Sequence, residues 1–175
     1  KRTDSIRYVF ISSPFAGYLD LGALKLFNEG RTQVGDRTIA LENLVRTVLD
    51  LQSHHKRVIM IAPPPTADFD IGACHEQQNL GLFLPGRTDC NFKVADSEAY
   101  QRGIRDGIRE VGARTGADII WFDPVLCNAD VCNTATDDGT SIYKDRGHLS
   151  IPGSVWAIPK IGIQRLIATG QGDVQ

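Results

Sequence analysis

The residues best placed to do chemistry lie near the carboxyl end, in Tyr143-Lys144-Asp145-Arg146-Gly147-His148-Leu149-Ser150-Ile151-Pro152-Gly153. An Asp and a His stand three residues apart in a turn, directly ahead of a helical stretch. An aspartate at that spacing can accept from the Nδ1–H of its own histidine, which fixes the tautomer and stabilises the imidazolium. Nε2 is then left to take a proton from a nucleophile, so the pair would serve as general base and orienter. Taken alone, Asp-x-x-His reads first as an Asp capping a turn beside an exposed histidine, so the decision falls to the rest of the chain.

The other candidates carry weaker patterns. Ser12 and Ser13 precede Pro14 at the end of an apolar run and could donate to an oxyanion, although a strand cap is the simpler role. His54-His55 falls between a helix end and a strand, where imidazoles favour the helix C-terminus. As a metal pair the two lack a carboxylate cluster, and the cysteine spacings do not supply zinc knuckles, so neither metal nor cofactor is expected. His75 reads as a solvated loop residue. Asp68 and Asp70 follow Pro63-Pro64-Pro65, where turn capping is the first reading and contact with substrate hydroxyls the second. Trp121 and Trp156 read as core, which leaves Phe15 and Tyr18 as the aromatic side chains suited to stacking on a sugar.

These residues need a scaffold, and the hydrophobic pattern describes one. Arg7 to Ser12 is a continuous apolar run closed by Pro14, the mark of a strand buried on both faces. Leu41, Leu44, Val45, Val48 and Leu49 repeat at helical spacing, with Asp36 or Thr38 as N-cap. Arg57 to Ala62 is a second buried strand, stopped by the three prolines. After a long loop from Cys74 to Cys90, Ser97 can cap a helix whose Tyr100, Ile104, Ile108 and Val111 share a face; Gly103 and Gly107 would let it pack closely. Gly116 ends that helix before a strand over Asp118 to Asp123. A last helix runs from Pro152 to Ala168, with Pro159 set to kink or split it.

Strand, helix, strand, helix, strand is the alternation of a parallel sheet with crossover helices. The expected fold class is therefore α/β, a three-layer α/β/α sandwich, with its site at the carboxyl ends of the strands. Three strands make a small sheet for this length, and both early runs read as central, so at least one further strand is expected outside the 175 residues.

Length and composition fit one domain over residues 1–175, with 42% apolar residues and a net charge of −2. A near-neutral surface argues against a nucleic-acid partner, and no stretch approaches the roughly 18 unbroken apolar residues of a membrane span. The four cysteines group as Cys74 with Cys90 and Cys127 with Cys132. Four allow three connectivities; local pairing is favoured because each pair brackets turn formers, Leu84-Pro85-Gly86 and Asn128-Ala129-Asp130. The competing reading is reduced, partly buried thiols. Bridges would place the chain in an oxidising compartment such as the periplasm or cell exterior. The chain opens Lys1-Arg2-Thr3-Asp4 and its single methionine is Met60, so it is expected to be a piece of a longer protein.

Several blocks in order carry a resemblance: Tyr8-Val9-Phe10-Ile11-Ser12-Ser13, Lys56-Arg57-Val58-Ile59 leading to the three prolines and Cys74, and Phe122-Asp123-Pro124 with Leu126-Cys127 and Cys132. The Tyr143 to Ser150 block completes the series. Together they resemble the SGNH-type domain attached to, or acting beside, bacterial membrane acyltransferases that O-acetylate cell-surface glycans. The resemblance implies that Asp145 and His148 are the acid and base of a Ser-His-Asp triad. It implies an acetylated donor and a glycan acceptor as partners, a membrane acyltransferase domain in the same protein, and a place on the periplasmic or extracellular face of the membrane.

One departure stands out. The family's nucleophile is the serine of a Gly-Asp-Ser block, and this sequence has none. Gly35-Asp36 is followed by Arg37 and reads as a helix N-cap, so the nucleophile is expected upstream of Lys1, and the chain as the later two thirds of the family domain. In the family an oxyanion-hole Asn follows the corresponding strand; here Ser12-Ser13-Pro14-Phe15 takes its place. The expected function is O-acetyl transfer to a glycan hydroxyl through an acyl-serine. The alternatives are a non-catalytic glycan- or partner-binding module and a glycan O-acetyl esterase.

Overall fold

A computed structural model of the chain describes residues 5–19, 25–28, 30–34, 36–82 and 86–169. Lys1 to Asp4, Gly35, Leu84 and Pro85, which entered the expectations above, lie outside the described residues. In chain order the elements begin β1 (Tyr8–Ile11), α1 (Ala16–Leu19), β2 (Lys25–Asn28), β3 (Arg31–Val34), α2 (Arg37–Ser53) and β4 (Arg57–Ile61). They continue α3 (Ile71–Asn79), β5 (Phe92–Lys93), α4 (Val94–Tyr100), α5 (Arg102–Thr115) and β6 (Asp118–Ile120). The remainder is α6 (Asp123–Leu126), β7 (Val131–Cys132), α7 (Ile151–Ala157), a 3₁₀ turn at Ile158–Lys160 and α8 (Ile163–Thr169).

Two compact units divide the chain. The first comprises residues 1–63, 102–120 and 169–175. Its parallel sheet has the order β1-β4-β6, with Val9 opposite Val58 and Met60 opposite Ile119. The α/β class with a helix-flanked parallel sheet is thus as the alternation requires. β4 is central because its run Val58-Ile59-Met60 is wholly buried, each such side chain contributing roughly 1.5 to 3 kcal/mol. The two apolar runs are not equivalent, however. β1 has only one sheet neighbour among the described residues, and its Phe10 is 38% exposed, so the expectation of burial on both faces holds for β4 and fails for β1.

Helix α2 begins where Asp36 accepts from the Ile39 N–H at 3.0 Å, a cap that satisfies one of the orphan amides of the first turn. Ala40, Leu41, Val45 and Val48 are its buried face, and it packs on β4 and α5. In α5 the buried face is Ile104, Ile108 and Val111. Gly107 faces Leu19, and a methyl there would lie 3.1 Å from Leu19 Cδ1. Gly116, at φ +69°, ends the helix in a conformation that favours glycine. The antiparallel pair β2–β3 was not expected from the apolar pattern.

The second unit comprises residues 64–101 and 121–168. Both local disulfides form, Cys74–Cys90 and Cys127–Cys132. The stretch after Cys74 is not all loop: Asp70 caps α3 by accepting from the Ala73 N–H at 2.9 Å, and α3 runs on to Asn79. Ser97 does not cap a helix. It lies within α4, buried, and its Oγ accepts from the Thr66 N–H at 2.9 Å. The carboxyl-terminal helix is split around Pro159, as its ring and missing N–H require. Trp121 and Trp156 are only partly buried, contrary to the core role expected of them.

Candidate active site

The segment Ser141 to Ser150 is an unusually constrained turn for one with so little regular structure. Ile142 donates its N–H to Thr134 O at 2.8 Å, Lys144 to His148 O at 3.0 Å and Ser150 to Ile142 O at 2.8 Å. Ser150 Oγ donates to Ser141 O at 2.7 Å and also accepts from the Gly153 N–H at 2.9 Å, so one hydroxyl both closes the turn and caps α7. Three glycines allow the backbone to come this close. A Cβ on Gly153 would run into the Ile142 carbonyl, one on Gly72 into the Lys144 carbonyl, and one on Gly147 would lie 2.5 Å from Thr66 Oγ1. Backbone cannot yield as a flexible side chain can, so Gly72 and Gly153 are dictated by packing.

This frame holds Asp145 and His148 together. Asp145 Oδ1 accepts from the backbone N–H of Gly147 at 3.1 Å and of His148 at 2.8 Å. The imidazole Nδ1 lies 2.9 Å from Oδ2 and 3.0 Å from Oδ1. A carboxylate only accepts, so Nδ1 carries a proton, and in the neutral imidazole Nε2 then presents a lone pair. Burial pushes the Asp145 carboxyl up, but the hydrogen bonds from the His148 and Gly147 amides and from the imidazole outweigh it; the group titrates below the usual carboxylate range. His148 is 78% exposed while Asp145 is 35% exposed. Asp145 therefore does both things weighed from the sequence: it caps the turn and orients the imidazole.

Beneath the turn, Tyr143 is buried against Phe92 edge to face, with ring centroids 6.1 Å apart. Its hydroxyl has no hydrogen-bond partner among the described residues. Burial, and then the negative charge of Asp123, push its pKa above the ordinary tyrosine value, so it stays neutral.

The remaining candidates are placed as follows. Ser12 and Ser13 belong to the first unit, with Ser12 exposed and Ser13 half-buried; Ser13 O accepts from the Phe15 N–H at 2.7 Å in a tight turn after β1. Phe15 is 1% exposed, which removes it as a stacking platform, and Tyr18 packs against it at 5.8 Å. His54 caps the end of α2 with Nδ1 2.8 Å from Asp50 O. His75 is a correction: it is 9% exposed rather than solvated, with Nε2 2.8 Å from Thr134 Oγ1. Asp70 is the cap of α3, and Asp68 pairs with Arg87 at 3.3 Å. No group of three metal-ligating side chains occurs among the described residues. A cleft of about 380 Å³ in the second unit is lined by residues including Lys93, Glu98 and Asp130, and neither Asp145 nor His148 borders it.

A family described as the SGNH domain fused to AT3 domains matches residues 1–162. The chain belongs to the SGNH domain family. Its fold is similar to a solved structure, the periplasmic domain of the Salmonella ser. Paratyphi A lipopolysaccharide acetyltransferase, with a TM-score of 0.52 and 23% identity. That likeness covers 79% of this chain and 53% of the other, so this chain spans about half the length of that structure. No curated protein matches the chain. The family's own description places such domains in fusion with AT3 domains. Among the described residues no helix is long and apolar enough to cross a membrane.

Thr66 and the three glycines were not singled out as site residues from sequence. Their signal is the close approach of segments far apart in the chain, and no local pattern encodes that.

Proposed function

We propose that this SGNH domain carries the base and orienter of a serine-type O-acetyl transfer to hydroxyls of a cell-surface glycan. The observation that carries the reading is the Asp145–His148 pair, with Nδ1 held by the carboxylate and Nε2 open on an exposed ring. The serine belongs to a part of the parent protein outside these 175 residues, which contain no Gly-Asp-Ser.

In this reading, Nε2 takes the hydroxyl proton as the serine oxygen attacks the acetyl carbonyl. The tetrahedral intermediate collapses by breaking the bond to the donor's leaving group, which departs with that proton, and an acetyl-serine remains. Nε2 next deprotonates the glycan hydroxyl, whose oxygen attacks the acetyl-serine. Collapse returns the proton to the serine and leaves the acetyl ester on the sugar. Asp145 stabilises the imidazolium in both halves without itself being protonated. The AT3 domain of the parent protein supplies the acetylated donor. Two disulfides and the family support a position on the periplasmic or extracellular face of the membrane.

The test is His148→Ala in the parent protein. Acetyl transfer, or hydrolysis of an acetyl ester, should fall by several orders of magnitude; near-normal turnover overturns the assignment. The absence of Gly-Asp-Ser favours one rival, a binding module without a nucleophile. Labelling the parent protein with a serine-reactive phosphonate separates them, since only the enzyme becomes modified at a serine in a manner that His148→Ala suppresses. Acceptor assays then divide a transferase from an esterase by whether acetyl reaches a sugar or water.

A further inference from the structure

Among the described residues, three aromatic rings of the second unit carry a cation, and two of them are covered. Arg87 lies 3.4 Å above the centroid of Phe69 and Lys160 lies 3.4 Å above that of Trp156, which is contact distance. The third differs. Arg146 stands 5.7 Å from the Tyr100 centroid, and Tyr100 is 54% exposed. A ring that helical spacing assigns to the apolar face of a helix is instead open to solvent, beside a guanidinium only two residues from His148.

Tyr100 and Arg146 are fixed with respect to the turn through one short segment, Pro64 to Ala67. The residue after Tyr100, Gln101, is buried, and its Nε2 donates to Pro64 O at 2.9 Å and to Thr66 Oγ1 at 2.9 Å. Thr66 also donates its N–H to Ser97 Oγ, and its side chain abuts Gly147. Ala67 donates its N–H to Arg146 O at 2.9 Å, and Arg146 Nε donates to Ala67 O at 3.4 Å. The middle of α4 at Ser97, the Gln101 that ends it, and Arg146 and Gly147 of the turn are thus tied to the same four residues. Gln101 spends its amide nitrogen on both contacts while its Oε1 has no hydrogen-bond partner among the described residues, and buried polar contacts of this kind are electrostatically stronger than surface ones.

We propose that Tyr100 and Arg146 form the subsite that seats a pyranose ring of the acceptor glycan beside His148. The chemistry fits the two kinds of surface a pyranose offers. Its C–H face stacks on an exposed aromatic ring, and vicinal hydroxyls accept from the planar fork of donors on a guanidinium, whose terminal nitrogens carry no carboxylate among the described residues. A site for a multiply charged anion would gather several cations; this one presents one guanidinium and a ring. Arg146 also connects the subsite to the base by chain geometry, because it shares the constrained turn with His148. The inference rests on the glycan-acceptor reading above, and it names the residues that would meet the sugar.

The test is binding to the full chain, isotopically labelled, followed by nuclear magnetic resonance. Methyl pyranosides of glucose, galactose and rhamnose are the probes. At least one is expected to shift the Tyr100 ring and Arg146 Nε–H signals saturably. Tyr100→Ala should weaken that binding about tenfold, equivalent to about 1.4 kcal/mol, whereas Tyr100→Phe should retain it because the ring and not the hydroxyl does the stacking. Arg146→Gln should weaken it independently; both side chains are exposed, so a preserved amide spectrum certifies the fold of each variant. Absence of a saturable shift at these two residues with all three sugars, or equal binding by Tyr100→Ala, overturns the subsite. Binding does not depend on turnover, so the two readings fail separately. A sugar that binds at Tyr100 in a parent protein whose His148→Ala variant keeps normal turnover sinks the catalytic role alone.

Discussion

His148 and His75 lie in the same unit and make opposite use of the same side chain. At His148 the carboxylate of Asp145 occupies Nδ1 and the rest of the ring is exposed. At His75 the ring is buried and Nε2 is used up on Thr134. The Thr134 hydroxyl has one proton, and its contacts to Cys90 O at 3.2 Å and Asn91 Oδ1 at 3.3 Å compete for it, so His75 Nε2–H is the donor to Thr134. The difference teaches what makes a histidine available for proton transfer: one nitrogen must be pinned while the other is left without work. His75 is a strut next to the Cys74–Cys90 bridge, and His148 is an exposed imidazole whose Nδ1 is pinned by a carboxylate.

The contrast breaks first, and by the largest margin, in catalysis. In the parent protein Asp145→Asn should lower turnover about 10⁴-fold, the size expected when the imidazole loses its tautomer control, with the unfolding midpoint changed far less. His75→Ala should leave turnover per folded molecule near normal. A larger turnover loss in His75→Ala than in Asp145→Asn would reverse the two roles.

Next in size is the frame around His148. Gly153→Ala puts a methyl into the Ile142 carbonyl, where only backbone could move aside, so about 3 kcal/mol of stability should be lost in urea unfolding. A midpoint unchanged from wild type would show that the turn is looser than its contacts indicate. His75→Ala is expected to cost about 2 kcal/mol through the cavity it leaves, read in the same assay.

The smallest effect is in pH. Burial lowers the His75 pKa, against a smaller opposing effect of Thr134, so the unfolded chain binds its proton more readily than the folded one. Stability from His75 is complete above its ordinary value of about 6.5 and declines as pH falls below that. The midpoint measured from pH 7.5 downward should show this decline in wild type, and it should be reduced in His75→Asn. Asp145 adds a separate decline below about pH 3.9, because its folded carboxyl titrates lower than the unfolded one. An unaltered slope in His75→Asn would remove His75 as its source.

Much of the scaffold was legible because it depends on local rules. Proline ended β4 and split the final helix, Asp36 capped α2, and the apolar period found α2 and α5. Three residues were misassigned by their local pattern. Tyr100 was placed on one stripe with Ile104, Ile108 and Val111 but ends the separate helix α4 and is exposed, Phe15 looks like a surface aromatic in a loop and is buried, and Phe10 lies in an apolar run that is an edge. Periodicity reports which residues lie on one side of an element, and what covers that side is decided by other segments. Helix α3 escaped notice for a different reason: Ile71 to Asn79 has little apolar period, and its cap and the Cys74–Cys90 bridge hold it in place.

For the site, the sequence by itself determined the Asp145–His148 pair, since a spacing of three within one turn lets the carboxylate reach both the backbone and the ring of its own histidine. It also determined the order of blocks that marks the SGNH family. Only the tertiary structure decided that His148 is exposed while His75 is buried, and that Thr66, Gly72 and Gly153 hold the turn. It likewise decided that Tyr100 stands open next to Arg146. The physical reason is range: hydrogen bonds and caps act within a few residues, whereas burial and close backbone approach are set by segments tens of residues away.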